Sequence, residues 1–527
     1  MQHFTVIFRP DNKQISIHKG ATLVEAAGEA GIVLNTSCGG RGTCGKCIVN
    51  IEPLGQRILA CQYRVESDLV ITIPDSARFF EHKILTDGIE NKNKIKPDIY
   101  RKYLPLAANG KIFGLAVDIG TTTVVAKLIN MADGQTLSTE AVLNPQTKFG
   151  DDVISRITYA QTDAQLDELH STIINCINEL ATRLCSSASL NASDIYEMAV
   201  VANTTMNHIF LKLPIQQLGQ APYKAFCLDA SDRLPGDLNL NINHKGNVHA
   251  VANIAGFVGA DTTAVALASD MDSVDKMTLA VDIGTNGEVV LGTKERLIAA
   301  SCAAGPAFEG ARIACGSRAV DGAIEAVVAN TNDIDLDVIG NAPPHSICGS
   351  GLIDAVAVLL DLGIIDITGR FVDCETLCSK LPPPLLSRLI EKDNQPAFLL
   401  ADGLQPVYLT QRDIRQVQLA KAAIRAGIKL LQNKIGLQDN QIDSILLAGA
   451  FGNYIRPESA LRIGLLPNVP LDKIHFIGNA ACSGAQMVLL SSQARALAVS
   501  LAKKITYIEI AHEREFTSVY ADCMLFE

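Results

Sequence analysis

LAVDIGT at residues 115–121 recurs letter for letter as LAVDIGT at 279–285. Each copy opens with an apolar strand, turns at a glycine and resumes as a second strand-like run, TTVVAKLI (122–129) and GEVVLGT (287–293). A repeated strand–turn–strand unit separated by a domain-sized interval predicts two related lobes. Long helical patterns follow each copy, at 164–186 and at 412–434, so the whole is expected to be α/β.

The surroundings fit a large globular chain. With 527 residues, 48% hydrophobic and 19% charged, it has enough apolar content for several cores. Forty-five basic residues stand against 56 acidic ones, a net charge of −11, with no long block of like charge. A nucleic-acid footprint is not expected from that balance. The longest apolar stretch, 352–367, carries Asp354, Asp361 and Asp366 and is too short and too charged to span a bilayer. The opening MQHFTVIFRPDNK lacks the charged-then-apolar pattern of a secretory leader. A soluble cytoplasmic protein is therefore expected, with neither a nucleic-acid nor a membrane partner.

Ahead of the first repeat lies a different kind of unit. Phe4, Val6 and Phe8 alternate, Pro10-Asp11-Asn12 turns the chain, and Ile15 and Ile17 alternate again. This pattern predicts a hairpin over 3–20. A short helix should follow over 21–32, capped by Thr22 with Glu25 three residues on. LVITIP (69–74) is strand-like, and the unit should close near residue 77. Residues 78–111 are charged and aperiodic, and a solvated connector is favoured over a docking arm. The expected division is thus 1–77, a linker at 78–111, a first lobe at 112–274 and a second at 275–527.

The amino-terminal unit holds four of the 14 cysteines, Cys38, Cys44, Cys47 and Cys61. Three of them share a loop with Gly39, Gly40, Gly42 and Gly45. Glycines let a backbone wrap a small object and aim amide N–H groups inward. A [2Fe–2S] cluster needs four thiolates and hydrogen bonds to sulfur. Tetrahedral zinc is the alternative, but zinc sites usually show two short-spaced cysteine pairs, and here only Cys44 and Cys47 are so spaced. The other ten cysteines, Cys176, Cys185 and Cys227 among them, are expected to be small buried hydrophobes.

The repeated loops suit a triphosphate. Asp118 and Asp282 would stand at strand ends to hold Mg²⁺ or orient water, and Gly120 and Gly284 permit tight turns. Thr121, Thr122, Thr123, Thr285 and Asn286 offer donors to phosphate, and Glu288 is a candidate to align water. In LLAGAFGNYI (446–455), Gly449, Ala450, Phe451 and Gly452 are small enough or flat enough to take adenosine. FIGNAACSGA (476–485) reads as a plain strand-to-helix turn.

These loops are similar to the phosphate and adenosine loops of the acetate and sugar kinase, Hsp70 and actin superfamily. The combination with a ferredoxin-like unit is narrower. So are NPQTKFGDDVISRI (144–157), VANTTMNHIF (201–210), SCAAGPAFEGARI (301–313) and ICGSGLID (347–354). Together they resemble the ATP-dependent reductive activators of corrinoid proteins. The resemblance implies an α/β chain: a β-grasp ferredoxin-like α+β domain, then a two-lobed, actin-like ATPase built from duplicated RNase H-like units. It implies a [2Fe–2S] cluster, ATP and Mg²⁺ as cofactors, and reduction of Co(II) to Co(I) as the activity. Partners would be a corrinoid protein of a methyl-transfer system and reduced ferredoxin or a similar donor, with the chain acting as a homodimer. Ser301 and Ser350 are weak candidates to approach the cobalt. An extra domain found in longer members has little room between Cys61 and Asp118.

Such a fusion makes energetic sense. If the donor lies about 100–200 mV above the cobalt couple, one-electron transfer costs roughly 2–5 kcal/mol, which a nucleotide-driven change must supply. Three other readings remain open on sequence alone: an activator of a different iron–sulfur enzyme, a small-molecule kinase with an accessory ferredoxin domain, and a non-enzymatic Hsp70-like binding module.

Overall fold

In the computed structural model, the described residues are 3–10, 12–30, 32, 34, 47–53, 56–74, 77, 96–107, 110–150, 152–284, 286–449 and 455–527. Alternating apolar residues make the expected hairpin of β1 (His3–Arg9) and β2 (Lys13–His18). Helix α1 (Leu23–Glu29) starts on the anticipated capping box. The Thr22 amide donates to Glu25 Oε2 at 2.6 Å, and the Glu25 amide donates to Thr22 Oγ1 at 3.2 Å. Strands β3 (Ile48–Ile51), β4 (Gln56–Leu59) and β5 (Leu69–Thr72) complete a five-stranded sheet in the order β2-β1-β5-β3-β4, with β1 and β5 parallel. This is the β-grasp arrangement. Its own core includes Val6, Phe8, Leu23, Val49 and Ile71.

The duplication is explicit in the two six-stranded sheets. The first has β6 (Phe113–Ile119), β7 (Thr123–Asn130), β8 (Thr136–Leu143), β9 (Ile195–Ala202), β10 (Ser231–Arg233) and β11 (Asn247–Ala250). Strands β6, β7 and β8 form an antiparallel meander, while β9 and then β11 extend β6 in parallel. Helices α2 (Val153–Tyr159), α3 (Asp163–Ser187) and α4 (Thr204–Phe210) belong to this lobe, and α5 (Ala260–Ala268) ends it.

The second lobe repeats the plan. Strands β12 (Thr278–Ile283), β13 (Gly287–Thr293) and β14 (Arg296–Cys302) form the meander. An insertion follows, of β15 (Ala323–Ala329), β16 (Ile334–Val338) and β17 (Ser346–Ile347), then α6 (Gly349–Asp361), α7 (Cys374–Leu377), α8 (Pro383–Ser387), and β18 (Leu389–Lys392), β19 (Gln395–Ala401) and β20 (Val407–Thr410). Helix α9 (Gln411–Ile435) leads to β21 (Ser444–Ala448), α10 (Pro457–Arg462) and β22 (Ile474–Gly478), which extend β12 in parallel. Helices α11 (Ala480–Leu490) and α12 (Ser492–Lys504), edge strand β23 (Thr506–Tyr507) and α13 (Phe516–Asp522) close the chain. The expected helices at 164–186 and 412–434 are α3 and α9, each with one further residue at either end.

One hydrophobic core joins the lobes. Ala116 and Ile129 of the first sheet, Ala280 and Val290 of the second, and apolar residues of α5, α11 and α12 share it. The 352–367 stretch is largely α6, a helix buried within the second lobe. No described helix is long and apolar enough to cross a membrane.

Two expectations need correction. The described part of the linker is docked rather than solvated. Ile99 and Tyr103 are buried, the Asp98 amide donates to the Leu490 carbonyl at 3.0 Å, and the Ser492 amide donates to Asp98 Oδ1 at 2.8 Å. Fully buried Glu197 on β9 anchors this arm. It takes the Tyr103 hydroxyl, Lys102 Nζ at 2.8 Å, Arg495 Nη2 at 2.7 Å and Asn247 Nδ2 at 2.7 Å. Lys102, one of the charges that looked solvated, is here a partner of this buried carboxylate.

The scattered cysteines are also not uniformly buried. Cys176, Cys185, Cys302, Cys348 and Cys482 are, whereas Cys227, Cys315 and Cys523 are half-buried and Cys374 and Cys378 are exposed. The last two stand at the start and the C-cap of a short surface helix that buries Leu377 and leaves both cysteines exposed.

Candidate functional site

The two repeated loops end β6 and β12 and meet at the junction of the lobes. In the first, the Gly120 amide donates to the Thr123 carbonyl at 2.9 Å; in the second, the Gly284 amide donates to the Asn286 carbonyl at 3.1 Å. A Cβ on Gly120 would sit 2.7 Å from Thr123 O, so the turn excludes a side chain there. The copies differ by one residue in loop length. Asp118 pairs with Val125 across its hairpin, while Asp282 pairs with Glu288. Only the second lobe therefore sets two carboxylates directly opposite each other.

Two hydrogen bonds tie the lobes together here. Asn479 Nδ2 donates to Asp118 Oδ2 at 3.3 Å, and Thr122 Oγ1 donates to Glu309 Oε1 at 3.2 Å. Asp118 and Asp282 also face each other across the junction, but as like charges they repel and oppose these links. Asn479 also caps α11 by accepting the Cys482 amide at 2.8 Å. FIGNAACSGA is thus more than the plain turn its sequence suggests. A cap residue serves the helix and the neighbouring lobe at once, and only the tertiary fold shows the second partner.

Burial raises the carboxyls of Asp118, Asp282, Glu288 and Asp261, and repulsion from neighbouring carboxylates adds to the first three. Asp118 is pushed up to about 8, first by desolvation and then by Asp261 and Asp282. Asp282 is pushed up to about 7 by desolvation and Asp261. Glu288 lies well above the ordinary range, from desolvation and then from Asp261 and Asp282. Asp261, in the first turn of α5, is held at about 6 by desolvation, opposed by hydrogen bonds from Thr262. Asp261 was missed on sequence. Its signal was modest: an acid just after Gly259 at a helix start. Like charges gathered in low dielectric are unstable alone and call for a cation.

Gly449 follows β21 with φ +88, and a Cβ on it would lie 2.4 Å from Asp282 Oδ1. Its amide donates to the Gly478 carbonyl at 3.1 Å. The start of the proposed adenosine loop is therefore packed on the second carboxylate. Thr285, Ala450, Phe451 and Gly452 lie outside the described residues, as do Cys38 and Cys44. Ser301 lies opposite Glu288 across β13 and β14. Ser350 does not suit an approach to a partner's cobalt: it is buried, 3.3 Å from Cys348 Sγ.

The amino-terminal thiols also converge. Cys47 precedes β3 and Cys61 follows β4, and the Ile48–Leu59 register of that hairpin brings both to one end. The Ala60 amide donates to the Cys47 carbonyl at 3.0 Å. The two buried Sγ atoms are 3.3 Å apart, far beyond a disulfide bond length and close enough to bind one metal. Gln62 Nε2 donates to Cys61 Sγ at 3.6 Å, the kind of outer hydrogen bond that steadies a thiolate ligand. Among the described residues, the donor set present fits half of a four-cysteine cluster site.

Comparison with known proteins agrees with this layout. Residues 4–75 match the model of a 2Fe-2S iron-sulfur cluster binding domain, 113–274 the RACo middle region, and 276–527 the C-terminal domain of RACo, the ASKHA domain. The first match favours an iron–sulfur cluster over zinc, and the last supports ATP binding. The chain is 34% identical to the corrinoid activation enzyme RamQ of Eubacterium limosum, over 98% of both chains. It is 25% identical to a [Co(II) methylated amine-specific corrinoid protein] reductase of Methanosarcina barkeri, over 78% of this chain and 76% of the other. The solved structure of a reductive activator for a corrinoid, iron-sulfur protein superposes with a TM-score of 0.73 at 32% identity, covering 99% of this chain and 98% of that one. With its fold matched and 98% of its length aligned to a relative 34% identical, the chain belongs to the RACo family of reductive activators of corrinoid proteins.

Proposed function

We propose that the chain couples ATP hydrolysis to one-electron reduction of Co(II) to Co(I) in a corrinoid protein of a methyl-transfer system. The observation that carries the reading is the union on one chain of a buried thiol pair, Cys47 and Cys61, with a cleft where carboxylates of two lobes meet. The relatives' names point the same way.

Cys38, Cys44, Cys47 and Cys61 are the residues to hold a [2Fe–2S] cluster. Bound there, it supplies a one-electron relay from reduced ferredoxin or a similar donor. Asp118 and Asp282 take the Mg²⁺ of Mg–ATP, whose charge favours their ionised forms, so nucleotide entry releases protons. Glu288 aligns the attacking water, and Asp261, which raises both Asp282 and Glu288, shares that task. Gly120, Thr121, Thr122 and Thr123 face phosphate from one lobe, and Gly284, Thr285 and Asn286 from the other. Gly449, Ala450, Phe451 and Gly452 pack on adenosine.

The working units are 1–77, 112–274 and 275–527, joined by 78–111, in a cytoplasmic homodimer with no nucleic-acid partner.

The test is anaerobic. Reconstituted protein should carry about two irons and two acid-labile sulfides per chain. Reduced by a low-potential chemical donor and mixed with Mg–ATP and a Co(II) corrinoid protein, it should produce the Co(I) absorption band. Cys47→Ser should abolish that band while ATP hydrolysis persists. Iron-free protein after reconstitution, or Co(II) persisting with several corrinoid partners, overturns the reading.

A further inference from the structure

The motifs NPQTKFGDDVISRI and VANTTMNHIF converge on the first phosphate loop. Arg156, fully buried on α2, reaches Thr121 O with Nη2 at 2.5 Å and Gly150 O with Nε at 3.0 Å. Its Nη1 meets Gln146 Oε1 at 3.3 Å and Met206 Sδ at 3.0 Å. Asn144, also fully buried, donates from Nδ2 to Gly120 O at 2.8 Å and from its amide to Thr122 O at 2.8 Å. Asn203 Nδ2 donates to Thr121 Oγ1 at 2.9 Å. The carbonyls of Gly120, Thr121 and Thr122 are thus each held by a donor from outside the loop.

A trans peptide is planar, with its C=O and the following N–H pointing in opposite directions. Holding Gly120 O therefore aims the Thr121 amide away from Asn144, and holding Thr121 O aims the Thr122 amide away from Arg156. Successive amides held in this way make an anion-binding concavity. The guanidinium adds a fixed positive charge behind the loop, in low dielectric, where it acts on phosphate most strongly.

We propose that Arg156, with Asn144, is a positioning residue that pre-sets the amides of Thr121 and Thr122 for the polyphosphate, so that this network selects ATP by its phosphates and not by its base. The proposal rests on the reading of residues 118–123 as a phosphate loop. No contact of Arg156 with nucleotide is implied.

The experiment uses the full-length, cluster-loaded protein. Arg156→Gln should raise the KM for ATP by about tenfold or more, the scale of one lost hydrogen bond from a charged donor. The inhibition constant of adenosine, which has no phosphate, should stay unchanged. Arg156→Lys keeps the charge and loses the fork, and should fall between the two. It also serves where the glutamine variant folds poorly. Equal weakening of ATP and adenosine means a merely structural role and overturns the proposal, as does an unchanged KM in both variants. The parallel variants Asp118→Asn and Asp282→Asn separate the two ideas. If they lose hydrolysis while Arg156→Gln keeps its KM, only the positioning role fails. If they keep hydrolysis, the phosphate-loop reading fails with it.

Discussion

Asp118 and Asp282 are defined by their surroundings more than by their identity. An ordinary aspartate titrates near 3.9, whereas burial and repulsion place these two at about 8 and about 7. In the nucleotide-free protein the folded state therefore binds more protons than the unfolded one. The stability they contribute is present below about pH 4 and is lost as pH rises through about 8. Asp118→Asn removes the ionisable group and should raise the Tm of nucleotide-free protein at pH 8.5, by roughly 2–4 °C per kcal/mol relieved. At pH 5 the gain should be much smaller; a pH-independent change in thermal melts would contradict the shift. Asp282→Asn should abolish ATP hydrolysis while the visible cluster spectrum stays intact, and retained turnover would remove Asp282 from the mechanism. DIGT was readable as a candidate loop because it occurs twice. That Asp118 lacks an opposite acid while Asp282 faces Glu288 was not, because a one-residue difference in loop length decides the register.

At the level of elements, strand ends and helix starts build the cleft. The chain leaves β21 through Gly449 in the left-handed region, where an L side chain is strained and would strike Asp282. Gly449→Ala should leave the fold intact by circular dichroism yet cut ATP hydrolysis about a hundredfold, the scale for ångström-sized displacement of a catalytic group. An unchanged rate would show that the loop accommodates the methyl elsewhere. The long elements were legible because their periodicity is local: α3 and α9 and the strands around DIGT run close to the stretches their patterns mark. The partners of Asn479 and Arg156 were not legible. A side chain that caps a helix or sits on an apolar face reads as local structure, although in the fold it reaches Asp118 or Thr121.

Across the whole molecule, the arm at 96–107 fastens the connector to the ATPase through Glu197. Removing one partner of a buried charge cluster leaves the rest uncompensated. Glu197→Ala should cost about 3 kcal/mol or more in denaturant unfolding of the ATPase and expose Tyr103 to early proteolysis. Proteolysis unchanged from the parent protein would show that the apolar contacts of Ile99 and Tyr103 hold the arm unaided.

The sequence by itself determined the duplicated strand–turn–strand units, the long helices and the amino-terminal hairpin with its capped helix, because repeats, alternation and capping are written in short-range order. The tertiary structure decided which groups meet: Asp261 with Asp282, Asn479 with Asp118, Glu197 with the arm, and Arg156 with the loop. The physical reason is that desolvation and hydrogen bonding depend on what lies within a few ångströms in space, and partners from 21 to 361 positions apart in the chain arrive there only once the tertiary fold has formed.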